Sequence, residues 1–224
     1  ALEKAGALIK EYGILFHVDA VQSVGKEPLN LKNSAIDYLS LSGHKLYGPK
    51  GIGALYIRPG APFEPLIAGG SQERGRRGGT ENVPGIAGLG KACELVAGDL
   101  AEEMVRLKSL RDGFEERLCL ENKGVEIVGK KSHRLPNTTL ALFQGVTAET
   151  FLYALDAEGI ACSSGSACMS GSSEPSHVLT AMGYDKTQAL SAIRFSFGRF
   201  TCFEELFEAL VTIKRVLTRL REKS

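Results

Sequence analysis

The chain has 224 residues, 43% of them hydrophobic and 24% charged, with a formal net charge of +1. That composition suits one large globular domain or two modest ones, and it excludes a whole-molecule field that would recruit nucleic acid or an anionic membrane. No stretch approaches transmembrane length and no signal peptide is visible; five scattered cysteines with no C-x-x-C pair argue against a disulfide framework or a zinc site, so a reducing compartment, the cytoplasm, is expected.

The chain opens without methionine in a helix-like segment over residues 1–10, so a processed, truncated or partial sequence is expected. Residues 14–19, 36–42 and 53–58 are short apolar runs. The first ends in Asp19, the second leads into Ser42-Gly43-His44-Lys45, and the third is closed by Pro59-Gly60. Runs of this length between helical or loop segments predict strands buried on both faces of an α/β sheet. A Gly- and Arg-rich loop occupies 69–79. Pro84 opens a long helix whose periodicity runs to about residue 120, with a break expected near Gly98.

Residues 125–128 and 138–143 read as strands, and 147–158 as a helix with Thr147 as its N-cap. Residues 192–197 alternate at period two, with Ile193, Phe195 and Phe197 on one face and Arg194, Ser196 and Gly198 on the other. Leu206, Leu210, Ile213, Val216, Leu217 and Leu220 recur at helical spacing and predict a closing helix over 203–220. Strands mixed with helices packed on one side predict a small α+β domain for the second half. The domains are placed at 1–98 and 99–224.

Two residues carry most of the chemistry. Lys45 sits at the end of a predicted strand, where an amine can form a Schiff base. Cys168 sits on a tether of small residues, Ser163-Ser164-Gly165-Ser166-Ala167-Cys168-Met169-Ser170-Gly171-Ser172-Ser173. A mobile tether suits a nucleophile that travels; a plain surface linker with an incidental thiol is the other reading. Cys93, Cys119 and Cys202 lie in helical or capping contexts and read as packing residues; Cys162 ends a small strand and is expected to be buried.

Asp19 should lie at the carboxyl edge of the sheet, where open α/β folds bind ligands. It suits either a cationic ring nitrogen or a helix N-cap in the turn Asp19-Ala20-Val21-Gln22. Gln22 could bond an adjacent phenolic oxygen. Ser42 and His44 are donors suited to a phosphate, and Gly43 would let backbone approach it. Residues 43–50 do not make a Walker A loop, because Pro49 stands where its lysine would be. The segment Glu73-Arg74-Gly75-Arg76-Arg77-Gly78-Gly79-Thr80 reads as anion recognition by Arg and the Thr80 hydroxyl rather than as nucleic-acid binding. Arg194, on a rigid strand, suits a bidentate carboxylate or a cross-strand ion pair.

Several of these segments together resemble the cysteine desulfurases, in particular the class I, iron–sulfur-cluster type within the aminotransferase class V family. The resemblance runs from about residue 17 to 220. It rests on His17-Val18-Asp19-Ala20-Val21-Gln22-Ser23, Ser42-Gly43-His44-Lys45-Leu46-Tyr47-Gly48-Pro49-Lys50-Gly51, Arg77-Gly78-Gly79-Thr80, Ser163-Ser164-Gly165-Ser166-Ala167-Cys168, Glu174-Pro175-Ser176-His177-Val178-Leu179 and Ile193-Arg194-Phe195-Ser196-Phe197-Gly198-Arg199.

The resemblance implies an α/β, aspartate-aminotransferase-like fold (fold type I), with residues 1–98 the carboxy-terminal part of a large domain that binds pyridoxal 5′-phosphate (PLP) and 99–224 a small domain carrying the cysteine loop. Lys45 would hold the cofactor and shuttle a proton. Asp19 would pair the ring nitrogen, Gln22 the ring hydroxyl, and Ser42 and His44 the phosphate. Thr80 would reach the phosphate of the other subunit, implying a homodimer. Arg194 would bind the carboxylate of L-cysteine. Cys168 would take the sulfur as a persulfide, leaving L-alanine, and pass it to an acceptor such as an iron–sulfur scaffold protein. No resident metal is implied, with Cys168 the residue expected to contact a nascent cluster in passing.

Met169 departs from the family, which has a small hydroxyl residue there. The family also carries a further stretch before this chain begins, holding a ring-stacking histidine, an asparagine near the ring hydroxyl and part of the phosphate cup. The chain is therefore expected to be an incomplete, carboxy-terminal portion. Two other readings remain: a different fold type I enzyme, such as a selenocysteine lyase or an aminotransferase, and a cofactor-free interaction or dimerisation module.

Overall fold

The computed structural model describes residues 2–165 and 174–222. They fall into two compact units, Ala1–Ala101 and Glu102–Ser224. Among the described residues, no helix is long and apolar enough to cross a membrane, and no group of three His, Cys, Asp or Glu side chains could hold a metal.

The first unit contains α1 (Leu2–Glu11), β1 (His17–Asp19), β2 (Tyr38–Ser42), a 3-10 turn (Gly43–Leu46), β3 (Gly53–Ile57), the short α2 (Gln72–Gly75) and the start of α3 (Val83–Glu121). Its sheet has the order β1-β2-β3, with β1 parallel and β3 antiparallel to β2. Gly53 is the residue that lets β3 start so close to β2: a Cβ there would stand 2.5 Å from the Leu41 carbonyl oxygen.

The register puts Val18, Leu39 and Tyr56 on one face. That face packs with Phe16, Ala20, Val24, Leu31, Ile36 and Leu41 into the first core. A second cluster joins Leu46 of the 3-10 turn to Leu89 and Ala92 of α3, with Ile52, Cys93 and Val96 against it.

The opposite face departs from the expectation of strands buried on both sides. His17 and Asp19 are exposed, Ser40 and Ser42 are half-buried, and Leu55 is 48% exposed. The apolar runs are continuous in the sequence, whereas the register sorts them by period two. Leu39 and Leu41 go inward, and Tyr38, Ser40 and Ser42 go outward with Asp19.

The second unit contains the rest of α3, β4 (Val125–Ile127), β5 (Thr138–Phe143), α4 (Ala148–Asp156), β6 (Ser163–Ser164), α5 (His177–Ala181), α6 (Lys186–Leu190), β7 (Ala192–Ser196) and α7 (Phe203–Arg221). Its sheet is antiparallel throughout, in the order β4-β5-β7-β6. One face is the main core. Ala141, Phe143, Ile193 and Phe195 meet Leu107, Phe114 and Leu118 of α3, Phe151 and Leu155 of α4, and Leu210, Ile213, Val216 and Leu217 of α7. Phe114 lies 5.1 Å from Phe195 and 5.4 Å from Phe197, centroid to centroid. The other face is partly covered where Leu179 and Ala189, from α5 and α6, pack on Leu142 and Ala192.

Local signals in this half match the structure. Ile193, Phe195 and Phe197 are buried, whereas Arg194 is half-buried and Ser196 exposed. Thr147 Oγ1 accepts the Thr150 backbone N–H at 3.4 Å, as an N-cap should. The break expected near Gly98 is absent, and α3 is continuous over 39 residues. A mid-helix glycine costs about 1 kcal/mol against alanine, which the good helix formers on either side offset.

Two polar networks set the loops. Glu115 is 1% exposed and takes both Arg134 Nη1 and Nη2, at 2.7 and 3.0 Å, tying the β4–β5 connection to α3. That hydrogen bonding holds the Arg134 guanidinium above its ordinary pKa. Arg106 of α3 donates to the carbonyls of Gly198, Arg199 and Thr201, at 2.8, 3.2 and 2.8 Å, and so fixes the link between β7 and α7.

Several buried polar atoms lack a partner among the described residues, and Thr139 Oγ1 is one of them. Thr139 is 1% exposed, opposite Phe195, and its Oγ1 meets no hydrogen-bonding group. Thr139→Val removes a desolvated hydroxyl at constant shape and is expected to raise stability by about 1 kcal/mol, read from the urea midpoint. A loss of stability would mean that Oγ1 is satisfied in solution.

Candidate active site

The polar face of the first sheet is built from strand ends. Asp19 closes β1, and its Oδ1 accepts the Val21 N–H at 3.0 Å. The backbone then makes a single turn, with Ser23 and Val24 N–H both bonded to the Ala20 carbonyl. No named helix follows, so Asp19 caps a turn rather than a helix. The helix N-cap expected for Asp19 is therefore not formed, and its Oδ2 is left without a partner among the described residues.

Asp19 lies in register with Ser40, which places it on the outward face of β2, two residues before Ser42. His17 Nε2 is 3.2 Å from Ser40 Oγ. His17 and Ser40 were not picked out as site residues from the sequence; the signal that could have found them is the period-two series Tyr38, Ser40, Ser42 beside the inward leucines.

Ser42 precedes the 3-10 turn, and its Oγ is 2.8 Å from His44 Nδ1. Gly43 has a packing task under the turn. Its N–H goes to the Ile52 carbonyl at 2.9 Å. A Cβ there would lie 2.9 Å from Ile52 Cγ2 and 3.1 Å from the Pro49 oxygen. The glycine is required by close packing under the turn. Lys45 and His44 are exposed on this turn. Lys45 makes no hydrogen bond or ion pair with the described residues. Gln22, on the turn after β1, is exposed and equally unbonded.

Asp19, Ser42, His44 and Lys45 are thus gathered at one end of β1 and β2, with Gln22 on the adjoining turn. Thr80 stands apart, exposed on the connection from α2 to α3 just after Gly79. The expected loop over 69–79 contains α2, whose Glu73 and Arg74 have positive φ values of 49° and 60°. It closes where Gly78 N–H meets the Ile67 carbonyl at 2.8 Å.

The donor set suits a phosphorylated pyridine aldehyde. It offers an amine, a hydroxyl and imidazole for a dianion, and a free carboxylate oxygen for a ring N–H.

Arg194 belongs to the second unit. On β7 its neighbours across the sheet are Leu140 and Ser163, neither charged. Its Nε is buried and has no hydrogen-bond partner. Among the described residues, no cross-strand ion pair forms. A half-buried guanidinium without a counter-charge among the described residues is left on a rigid strand, where an orphaned donor is costly unless a ligand supplies the acceptor. A cleft of about 940 Å3 elsewhere in this unit, beside Gln144, Thr147 and Gln188, does not include Arg194.

Ser163 begins the run that leads to Cys168. Cys168 and Met169 lie outside the described residues. Cys162 precedes β6 instead of ending a strand, and it is half-buried. Burial first, and the charge of Asp156 second, push its thiol up to about 11. Burial likewise raises Cys119. Cys202 is exposed rather than packed; it caps α7, its N–H donating to Glu205 Oε2 at 3.1 Å.

Comparison with known proteins gives this geometry its setting. A protein of Bradyrhizobium diazoefficiens named cysteine desulfurase is 52% identical over 215 residues, which are 96% of this chain and 54% of that protein. A NifS-like protein from Rickettsia africae superposes with a TM-score of 0.88 at 34% identity, over 97% of this chain and 57% of the other. A solved structure of SspA in complex with cysteine gives 0.69 at 34% identity, over 90% and 55%. The chain spans about half the length of the curated relatives it matches. Its architecture is that of the fold type I enzymes, as the NifS-like structures have it. The pattern of the aminotransferase class-V family matches residues 1–208, so this chain belongs to that family.

Proposed function

We propose that this chain serves a PLP-dependent cysteine desulfurase, which converts L-cysteine to L-alanine and holds the removed sulfur as a persulfide on Cys168. The relatives named cysteine desulfurase support the activity, and the neighbour solved with cysteine supports the substrate. The observation that carries the reading is the turn Gly43–Leu46: it sets an unbonded lysine beside the Ser42–His44 pair, at the sheet end where Asp19 keeps one oxygen free.

Bound PLP supplies an electron sink for negative charge next to the substrate carbons. The chain's residues do the rest. Lys45 would hold the cofactor through its amine and would move a proton at the substrate carbon. Asp19 accepts the ring N–H, Gln22 bonds the ring hydroxyl, and Ser42 and His44 bind the phosphate. Thr80 serves the phosphate of a second subunit in a homodimer.

Arg194 grips the substrate carboxylate with its planar fork. The Cys168 thiolate attacks the substrate sulfur. An S–S bond forms, the C–S bond breaks, and its electron pair stays with the carbon, which takes a proton and becomes the methyl of alanine. L-cysteine and a thiol thus yield L-alanine and a persulfide, with atoms and electrons in balance. A sulfur acceptor, such as an iron–sulfur scaffold protein in the cytoplasm, then receives the outer sulfur. The first unit carries the cofactor residues; the second presents Arg194 and the cysteine tether.

Loading the full-length protein with PLP, reducing with borohydride and mapping peptides tests this. The label is expected on Lys45, and Lys45→Ala is expected to remove at least about nine-tenths of it, because no other lysine shares that strand end. A label on Lys50 instead would overturn the assignment.

A further inference from the structure

The turn that presents Lys45 is braced from beneath by a second turn. Gly25 has a φ of 75°, and a Cβ there would lie 2.7 Å from Leu46 Cδ2 and 2.8 Å from Val96 Cγ1. Gly25 is therefore wedged between the residue after Lys45 and the α3 helix. Lys26 follows. It is only 8% exposed, which is rare for a lysine. Its Nζ is 5.5 Å from the centre of the Tyr47 ring, within cation–π range.

Tyr47 is the residue that closes the Lys45 turn. Its φ is 62°, and its N–H bonds back to the Gly43 carbonyl. Glycine would take that left-handed conformation at no steric cost, whereas a bulky aromatic seldom does. Such strain persists where surrounding structure holds it. What holds the ring here includes the buried ammonium of Lys26. Leu46, between Lys45 and Tyr47, is 2% exposed and presses on Gly25. The Gly25-Lys26 pair thus grips the two residues that follow Lys45, one through packing and the other through charge on a ring face.

We propose that Lys26 is a positioning residue for Lys45: its ammonium locks Tyr47 in the left-handed conformation that closes the turn, and so fixes the direction in which Lys45 offers its amine. This rests on the reading of Lys45 as the cofactor lysine. Lys26 itself is too buried to compete for an aldehyde. The pair Gln22-Ser23 stands one turn earlier on the same segment, so the brace also ties the Asp19 end of the site to the lysine end.

Trace acetylation of the intact chain by acetic anhydride, without cofactor, tests the brace. Peptide mass spectrometry reads the reactivity of Lys45 relative to Lys50, an exposed lysine of the same segment. Lys26→Met keeps the aliphatic stem and removes the charge; it is expected to change the ratio by about threefold or more. Lys26→Arg and Tyr47→Phe keep a cation over a ring face and are expected to stay within about twofold of the parent. Tyr47→Asn tolerates the positive φ but has no ring, and should reproduce the Lys26→Met change.

A brace that only stabilises the fold would lower the melting temperature and leave the ratio unmoved below it. An unchanged ratio in Lys26→Met or in Tyr47→Asn overturns the proposal; should Lys26→Met not fold, Tyr47→Asn decides alone. The reagent needs no cofactor, so this failure is distinct from that of the Lys45 assignment, which PLP labelling reads separately.

Discussion

In the full-length enzyme, Cys168→Ser is expected to stop sulfur transfer while leaving PLP attachment at Lys45 intact. A serine hydroxyl is hardly ionised at neutral pH and attacks sulfur poorly, whereas even an unperturbed thiol is a few per cent thiolate. The neighbouring thiol offers no substitute. Cys162 is half-buried and pushed up to about 11, so at pH 7 only about one molecule in ten thousand carries its thiolate.

Chain connectivity also favours Cys168. It comes five residues after Ser163, the strand partner of Arg194. Shortening the 163–173 tether while keeping the cysteine should impair persulfide formation in the same way, because reach is lost and reactivity is not. The measurement is alanine and sulfide production from L-cysteine beside borohydride labelling of Lys45. Sulfide released at the parental rate by Cys168→Ser would point to Cys162 or to direct elimination and would sink the two-centre mechanism.

Arg194→Ala should raise the L-cysteine requirement by roughly two to three orders of magnitude, the loss of a bidentate charge-assisted pair worth about 3–4 kcal/mol. Arg194→Lys should recover only part of this, since an ammonium cannot present the planar fork. The fold predicts a second, separable result. Arg194 has no charged partner across the sheet, and its buried Nε is unbonded. Removing it therefore breaks no internal ion pair, and the urea midpoint should move by no more than about 1 kcal/mol. A collapse of stability with unchanged affinity would mark Arg194 as a structural residue.

Some of this protein could be read directly from the chain, for a physical reason. Periodicity is local. The alternation of residues 192–197 places Ile193 and Phe195 inward whatever they meet, and the spacing from Leu206 to Leu220 makes α7 amphipathic before any partner is known. Thr147 caps α4 through its own backbone neighbours. The motif around Lys45 and the tether around Cys168 are contiguous, so residue type and order alone marked them. Other features depend on segments far apart in sequence, and only the folded chain decides them. The outward face of the first sheet was set by the register of β1 on β2, which turned apparently continuous apolar runs into one packed and one polar side. The packing task of Gly43 appeared only once Ile52 had folded back over it. Whether Arg194 met a carboxylate rested on Leu140 and Ser163 being its neighbours. The brace of Lys26 on Tyr47 joins residues 21 apart in sequence; a pattern within either turn carries no trace of it, because the contact exists only where the two turns stack.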